Sequence, residues 1–364
     1  SGFEFRADGV ANAIGTQIAG KPSGTAPGAQ TLQIRAIRTS DSSTVCEAAL
    51  QGTQTVQMAY ECVSPASCSA ATLAVGATTI AGNPSGSVGS YSNATLSFDN
   101  AGLATLGFTW NDAGSARLHA RYALPVAGGA ASGSFMAGSS NTFVSRPFAL
   151  ALGVSGNPAA SSAGGAAFTS AGTAFGASAR AVAWSAAADA NADGIADGME
   201  SADTSATNNA SLAANATTPN FAPSGALTLG STLQFPAGGT HPSLTGSPSA
   251  VFTNGVAAIS GLRYDEVGII EITAAQGGSY LGIGSAETAK IRGSSGFVGR
   301  FRPARLALAS NVPLLASACS AGAFSYIGQP VYFGTAPVLA LTAQSALGTT
   351  TTNYTQSGFF RLDT

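Results

Sequence analysis

The chain is short of charge. Only 9 % of its 364 residues are Asp, Glu, Lys or Arg, against about 25 % in an ordinary soluble domain. Lysine is confined to Lys21 and Lys290, and the formal net charge is −2. A nucleic-acid surface needs clustered Lys and Arg to displace condensed counterions, and the sequence has no such stripe. No apolar run approaches the ~20 residues that a helix needs to span a bilayer, so membrane insertion by a helix is not expected. Histidine is limited to His119 and His241, and neither stands at zinc-ligand spacing to a cysteine. There is no Gly-x-Ser-x-Gly elbow ahead of a helix and no His-Glu-x-x-His pair. The chain therefore reads as non-enzymatic, with two acids converging in space as the one hydrolytic arrangement that spacing cannot test. His119, on a strand between Leu118 and Ala120, is expected on the solvent face, and His241 in a loop. No signal peptide opens the chain, but neither does a Met, so Ser1 reads as a processed or truncated start.

What fills the chain is Ala, Gly, Ser and Thr, a composition that borders on low complexity. Aromatic and branched residues nevertheless recur throughout in short alternating runs, punctuated by Gly, Asn and Asp. With 45 % hydrophobic residues the chain can bury substantial cores, and its length suits two or three domains. Alternation of period two, with turn residues between the runs, is the pattern of antiparallel sandwiches. No stretch sustains a capped helical period. The expected fold is all-β, as tandem immunoglobulin-like antiparallel β-sandwich domains.

The chain also repeats itself. Phe98, Trp110, Gly114 and Leu118 align without a gap on Phe252, Tyr264, Gly268 and Ile272, an offset of 154 (268 − 114). Each copy reads as two strands around an acidic-x-Gly turn, Asp112-Ala-Gly114 and Glu266-Val-Gly268. Arg146-Pro147 recurs as Arg302-Pro303, an offset of 156 (302 − 146). A third echo joins Ile14-Gly-Thr-Gln-Ile18, Gly172-Thr-Ala-Phe175 and Ile327-Gly-Gln-Pro-Val331, each ahead of an alternating strand. These echoes divide the chain into units 1–146, 147–302 and 303–364. The first is read as lacking its opening strand and the third as a partial sandwich.

One loop breaks the neutral background. In Asp189-Ala-Asn191-Ala-Asp193-Gly194-Ile195-Ala-Asp197-Gly-Met-Glu200, side-chain oxygens stand at positions 1, 3, 5, 9 and 12, with Gly at 6. That is the ligand order of an EF-hand-type calcium loop. Asp189, Asn191, Asp193, Asp197 and Glu200 would offer side-chain oxygens and Ile195 its carbonyl to a structural Ca2+. The flanks are not helical, so the loop reads as a calcium clip between strands. It would pin the long polar connection that runs on to Phe221. A polar turn-rich surface loop is the alternative, since Asp, Asn and Gly are ordinary loop residues.

Cys62 and Cys68 bracket a Ser-Pro turn signal, which suits a short disulfide loop. With Cys46 and Cys319, four cysteines allow three pairings, and the sequence selects none. An oxidising, extracellular setting fits. Arg292, Arg300, Arg302 and Arg305 gather around the second boundary, either to support that junction or to meet an anionic sugar or partner. Asn93, Asn209, Asn215 and Asn353 head Asn-x-Ser/Thr sequons, which a Ser/Thr-rich chain generates by chance.

Several segments carry a family resemblance. They include Gly2-Phe-Glu-Phe5, Cys46-Glu-Ala-Ala, Met58-Ala-Tyr-Glu-Cys62 with Pro65 and Cys68, and Phe143-Val-Ser-Arg-Pro-Phe148. Ala216-Thr-Thr-Pro-Asn-Phe221, Val298-Gly-Arg-Phe-Arg-Pro303 and Ala318-Cys-Ser-Ala-Gly-Ala-Phe-Ser-Tyr-Ile-Gly-Gln-Pro330 extend it. Over nearly its whole length the chain resembles the MshQ-like family of large bacterial surface proteins associated with mannose-sensitive haemagglutinin (type IV) pilus biogenesis. The resemblance implies an exported, surface- or pilus-linked protein and supplies no catalytic residues. The expected role is an extracellular structural or adhesive stalk stiffened by calcium, with other chains of a surface or pilus assembly as partners. The alternatives are a filament subunit that pairs with itself by strand complementation, and a glycan-binding adhesin module.

Overall fold

The computed structural model describes residues 1–40, 45–68, 71–125, 131–199, 209–246, 251–316, 324, 327–356 and 358–361. It is built almost entirely of antiparallel sheet. Its opening strand, Gly2–Ala7, alternates as the sequence does: Phe3, Phe5 and Ala7 face inward while the residues between them face out. It pairs with Leu32–Thr39, whose Leu32, Ile34 and Ala36 face the same way. Leu103–Thr105, Cys46–Ala48 and Val10–Ala11 complete that sheet.

The facing sheet is centred on two long strands, Gly52–Ser64 and Gly114–Pro125, paired antiparallel. Seven shorter strands flank them. Two pairings are parallel: Thr78–Asn83 on Gly52–Ser64, and Gln17–Ile18 on Phe143–Arg146. Between the sheets lie Phe5, Ile34, Val56, Met58, Leu73, Leu106 and Leu118, all fully buried. Trp110 meets Phe143 edge-to-face, with ring centroids 6.3 Å apart. Each such side chain contributes roughly 1.5–3 kcal/mol on burial. A disulfide joins Cys62 to Cys68, across Cα atoms 5.4 Å apart. Cys46 is free and exposed, and Cys319 lies outside the described residues.

The second sandwich repeats the plan with seven strands. Ala149–Val154, Phe175–Val182, Val256–Leu262 and Phe252–Thr253 form one sheet; Leu227–Phe235, Gly268–Gln276 and Arg292–Phe301 form the other. Leu150, Ile259, Tyr264, Ile270, Val298 and Phe301 fill the space between, joined by Phe221 from the connecting loop. Phe168, Phe175 and Phe301 cluster with centroids 5.6 Å apart.

Beyond Phe301, Arg305–Ser310 pairs with Leu339–Gln344, and Leu314–Leu315 with Phe333–Thr335. Leu308, Leu339 and Leu341 on these strands are exposed by 54–67 %. The counterparts of Leu306 and Leu308 one unit earlier, Leu150 and Leu152, are buried under the second sheet.

Two helical pieces were not legible in the sequence: Asn209–Ala214 and Ser285–Thr288. Six and four residues are too few for a hydrophobic period to register, and tertiary packing holds such pieces rather than propensity. Among the described residues no helix is long and apolar enough to cross a membrane.

Candidate functional site at the two joints

The repeated motifs converge where one sandwich meets the next. At the first joint the loop Ala19-Gly20 is clamped by its own unit. Gly20 N–H donates to the Trp110 carbonyl at 2.7 Å, and Ala19 N–H to the Arg146 carbonyl at 2.8 Å. The Ala19 carbonyl then accepts Trp184 N–H of the next unit at 2.8 Å. The second joint has the same three bonds. Gly172 donates to Tyr264 and Ala171 to Arg302, and Ala346 donates to Ala171, each at 2.8 Å.

Beside each loop stands a buried acid. Asp112 is fully buried, and its Oδ1 accepts Ala113 N–H at 2.8 Å and, across the joint, Asn220 N–H at 3.0 Å. Glu266 is 2 % exposed, and its Oε1 accepts Val267 N–H at 2.7 Å and Asn353 N–H at 3.2 Å. Its Oε2 takes Thr352 N–H at 2.8 Å and the Thr352 hydroxyl at 3.1 Å. The charge-assisted bonds that cross the joint replace the water a buried carboxylate would otherwise lose. Asn353 locks the second joint further, donating from Nδ2 to the Thr240 and Val267 carbonyls and accepting Thr240 N–H on Oδ1.

The glycine after each acid has a steric reason. Gly114 and Gly268 sit at φ +133° and +152°. A Cβ there would lie 2.5 Å from the Ser64 carbonyl oxygen and 2.6 Å from that of Phe235. Only Gly lets the strand start this close to its neighbour.

Trp110 and Tyr264, matched in the sequence, thus occupy matched positions: both are buried, and both carbonyls cap the Ala-Gly loop. Two repeats were missed. Ala19-Gly20 corresponds to Ala171-Gly172, an offset of 152 (172 − 20), so the echo through Ile14–Ile18 was set in the wrong register. Thr217-Thr-Pro-Asn220-Phe221 corresponds to Thr350-Thr-Thr-Asn353-Tyr354, an offset of 133 (353 − 220). Its Thr-Thr-x-Asn-aromatic spelling was the available signal. Asn353 read only as a chance sequon, whereas its side chain is spent in the joint.

The Asp189–Glu200 loop buttresses the first joint. Trp184, which bridges the units through its backbone, donates its Nε1–H to Asp189 Oδ2 at 2.6 Å. Asp189 Oδ1 accepts the N–H groups of Asp193 and Gly194, and Asp193 Oδ1 that of Ile195. Asp197 accepts Ala190 N–H, and Asn191 bonds to Asp193. The Gly194 carbonyl accepts from Arg146 Nη2 at 2.9 Å. Arg146, 1 % exposed, also meets Glu287 at 3.3 Å, so one side chain ties the first unit, the loop and the Ser285–Thr288 turn together. Burial disfavours the Glu287 carboxylate, but the hydrogen bond from Lys290 and the charge of Arg146 outweigh it and hold its pKa below the ordinary range.

Asp189 and Asp197 are 3 % and 6 % exposed, and neither is ion-paired among the described residues. The charge of Asp189 acts on Lys21 and on Arg146, and its two oxygens accept the Trp184, Asp193 and Gly194 N–H groups. No three His, Cys, Asp or Glu side chains among the described residues stand close enough to share a metal ion. The twelfth position, Glu200, lies outside the described residues.

His119 is not on an open face. Its side chain is 13 % exposed, with Nε2 3.0 Å from Glu61 Oε2 and Nδ1 2.8 Å from the Ser139 hydroxyl. It is on the face opposite Leu118 and Ala120, flanked there by Glu61 and Ser139 from the two strands paired with its own, which the alternation of one strand does not show. His241 lies in a loop, beside the Tyr264 hydroxyl at 3.3 Å.

The fold and its joints define the class: tandem immunoglobulin-like β-sandwiches fused by a repeated, hydrogen-bonded junction. Models of one family match three successive stretches. "Domain of unknown function (DUF6701), first Ig-like domain" matches 1–139, its second domain 146–261 and its third domain 266–364. The chain belongs to this three-domain family. The family's second division falls just ahead of Gly268–Gln276 and Arg292–Phe301, which pair with Leu227–Phe235 or with each other and share the second core. No curated protein matches the sequence. Among solved structures, invasin, a bacterial integrin-binding protein, aligns at 11 % identity and TM-score 0.31 over 97 % of this chain and 48 % of its own. The D0-D1 domain of intimin aligns at 11 % identity and TM-score 0.21, over 82 % of this chain and 97 % of its own. A putative membrane-anchored protein from Corynebacterium diphtheriae aligns at 12 % identity and TM-score 0.21, over 86 % of this chain and 57 % of its own. The chain spans about half the length of the invasin chain. At these scores the likeness carries no inference about this chain.

Proposed function

We propose that this chain is a stiff structural segment of an exported bacterial surface protein, holding neighbouring sandwiches in fixed orientation so that an adhesive or pilus-linked assembly can reach outward. The unit boundaries are placed after Arg146 and Arg302. The single observation that carries the reading is the recurrence, at two places in one chain, of the same three backbone bonds around an Ala-Gly loop beside a buried acid that accepts an Asn N–H from across the joint. A flexible tether needs no buried acid and no fixed Ala-Gly loop, and ordinary interdomain contacts permit relative motion. The resemblance to MshQ-like proteins supports the surface and pilus setting. The loop that braces the first joint is proposed as a Ca2+ site formed by Asp189, Asn191, Asp193, Ile195, Asp197 and Glu200, for which millimolar extracellular calcium suffices.

Small-angle X-ray scattering of the purified chain tests this reading. One rigid arrangement of the units should fit the curve, and an Asp112→Ala/Glu266→Ala chain should need an ensemble of orientations. A wild-type curve that itself needs such an ensemble would remove the proposal. A second reading, contact with another chain, rests on the exposed Leu308, Leu339 and Leu341. It expects scattering mass to rise with protein concentration, as an uncovered apolar face finds a partner sheet.

A further inference from the structure

The Arg-Pro motif has two different fates. At the first joint Arg146 is buried and matched by Glu287. At the second, its counterpart Arg302 is exposed, and among the described residues its guanidinium donates to the Pro303 carbonyl at 3.4 Å. Around it opens a cavity of about 330 Å³ lined by Arg300, Arg302, Arg305 and Arg361, with Pro303, Leu306 and Tyr354. In a chain with 9 % charged residues, four arginines in one concavity are a marked concentration.

Nothing anionic offsets them among the described residues. Arg300 Nε donates to the Gly165 carbonyl at 3.1 Å, Arg305 Nε to Gln344 Oε1 at 3.0 Å, and Arg361 Nη2 to the Ala163 carbonyl at 2.6 Å. Every acceptor is neutral, and none of the four belongs to an ion pair. These bonds fix the guanidinium groups while leaving further N–H donors on each. Burial, and then the charges of Arg361 and Arg302, press the Arg300 pKa downward. Clustered like charge is the signature of a site awaiting an anion. Pro303, Leu306 and the ring of Tyr354 give the same cavity an apolar wall, which a free inorganic anion would not use but the face of a sugar ring would.

We propose that the cavity at the second joint binds an acidic saccharide, its carboxylate or sulfate oxygens held by Arg300, Arg302, Arg305 and Arg361. The site stands whether or not the joints are stiff.

Isothermal titration of the whole chain with a heparin oligosaccharide, an oligogalacturonate and inorganic phosphate tests it, with neutral dextran as control. At least one acidic saccharide should bind, and its affinity should fall at least about ten-fold between low and physiological salt. Arg302→Ser and Arg361→Ser, both at exposed positions, should each weaken it several-fold at unchanged melting temperature. Arg38→Ser, which removes the same charge from a distant exposed position, should change nothing. No binding of either acidic saccharide, equal loss in Arg38→Ser, or phosphate binding as tightly as the saccharide would overturn the proposal.

Discussion

Asp112 and Glu266 differ by one methylene and do the same work, accepting backbone N–H groups of the unit that follows. Removing either acceptor leaves those donors buried without a partner, a loss of about 1–3 kcal/mol. Asp112→Ala and Glu266→Ala should therefore lower the urea midpoint. Glu266→Ala removes the acceptor of the Val267, Thr352 and Asn353 N–H groups and of the Thr352 hydroxyl, and Asp112→Ala that of the Ala113 and Asn220 N–H groups. Equal, negligible losses would contradict the account. Elsewhere, the Gly86 N–H at 2.7 Å holds the Glu61 pKa below its ordinary 4.5; burial opposes the shift and the bond to His119 assists it. A carboxyl with a depressed folded pKa stabilises the fold above its unfolded value, and that gain is lost as pH falls through the folded pKa. Acid titration of stability should accordingly be shallower below pH 4.5 in Glu61→Gln than in the wild-type chain.

Among the elements, the strands were the most legible. Alternation in Gly2–Ala7, Leu32–Thr39 and Ser92–Phe98 recurs as alternating burial, because a pleated strand turns successive side chains to opposite faces. The acidic-x-Gly turns were legible too, but not their purpose, since the donors they meet lie about 90–110 residues away. The calcium loop is legible as spacing alone. If Asp189, Asp193 and Asp197 share a Ca2+, millimolar calcium should raise the melting temperature by several degrees, as a ligand that binds only the folded state must. Asp189→Ala should abolish the rise, and a wild-type chain indifferent to millimolar calcium would end the idea.

On the scale of the whole molecule, the middle unit is gripped on both sides. Its Trp184 and Asn220 bond to the first unit, and its Ala171 and Glu266 bond to the third. Cores continue across these contacts: Ala113 and Val144 pack with the second core, and Val267 packs with Ala343, Tyr354 and Phe359. Scattering tests this continuity directly, because an apolar core shared across a joint opposes bending there. The four-arginine cavity also belongs to this scale, since Arg300 and Arg302 come from one unit and Arg305 and Arg361 from beyond the second joint.

The residues alone determined the all-β class, the alternating cores and the near-identity of two acidic-x-Gly turns, because strand period and turn chemistry are local properties of a backbone. They could not decide which face of His119 is covered, that Asn353 is locked inside a joint, or that Arg146 is neutralised while Arg302 is not. Those outcomes depend on which distant segment folds against each side chain, and only the packed sandwiches bring the segments together.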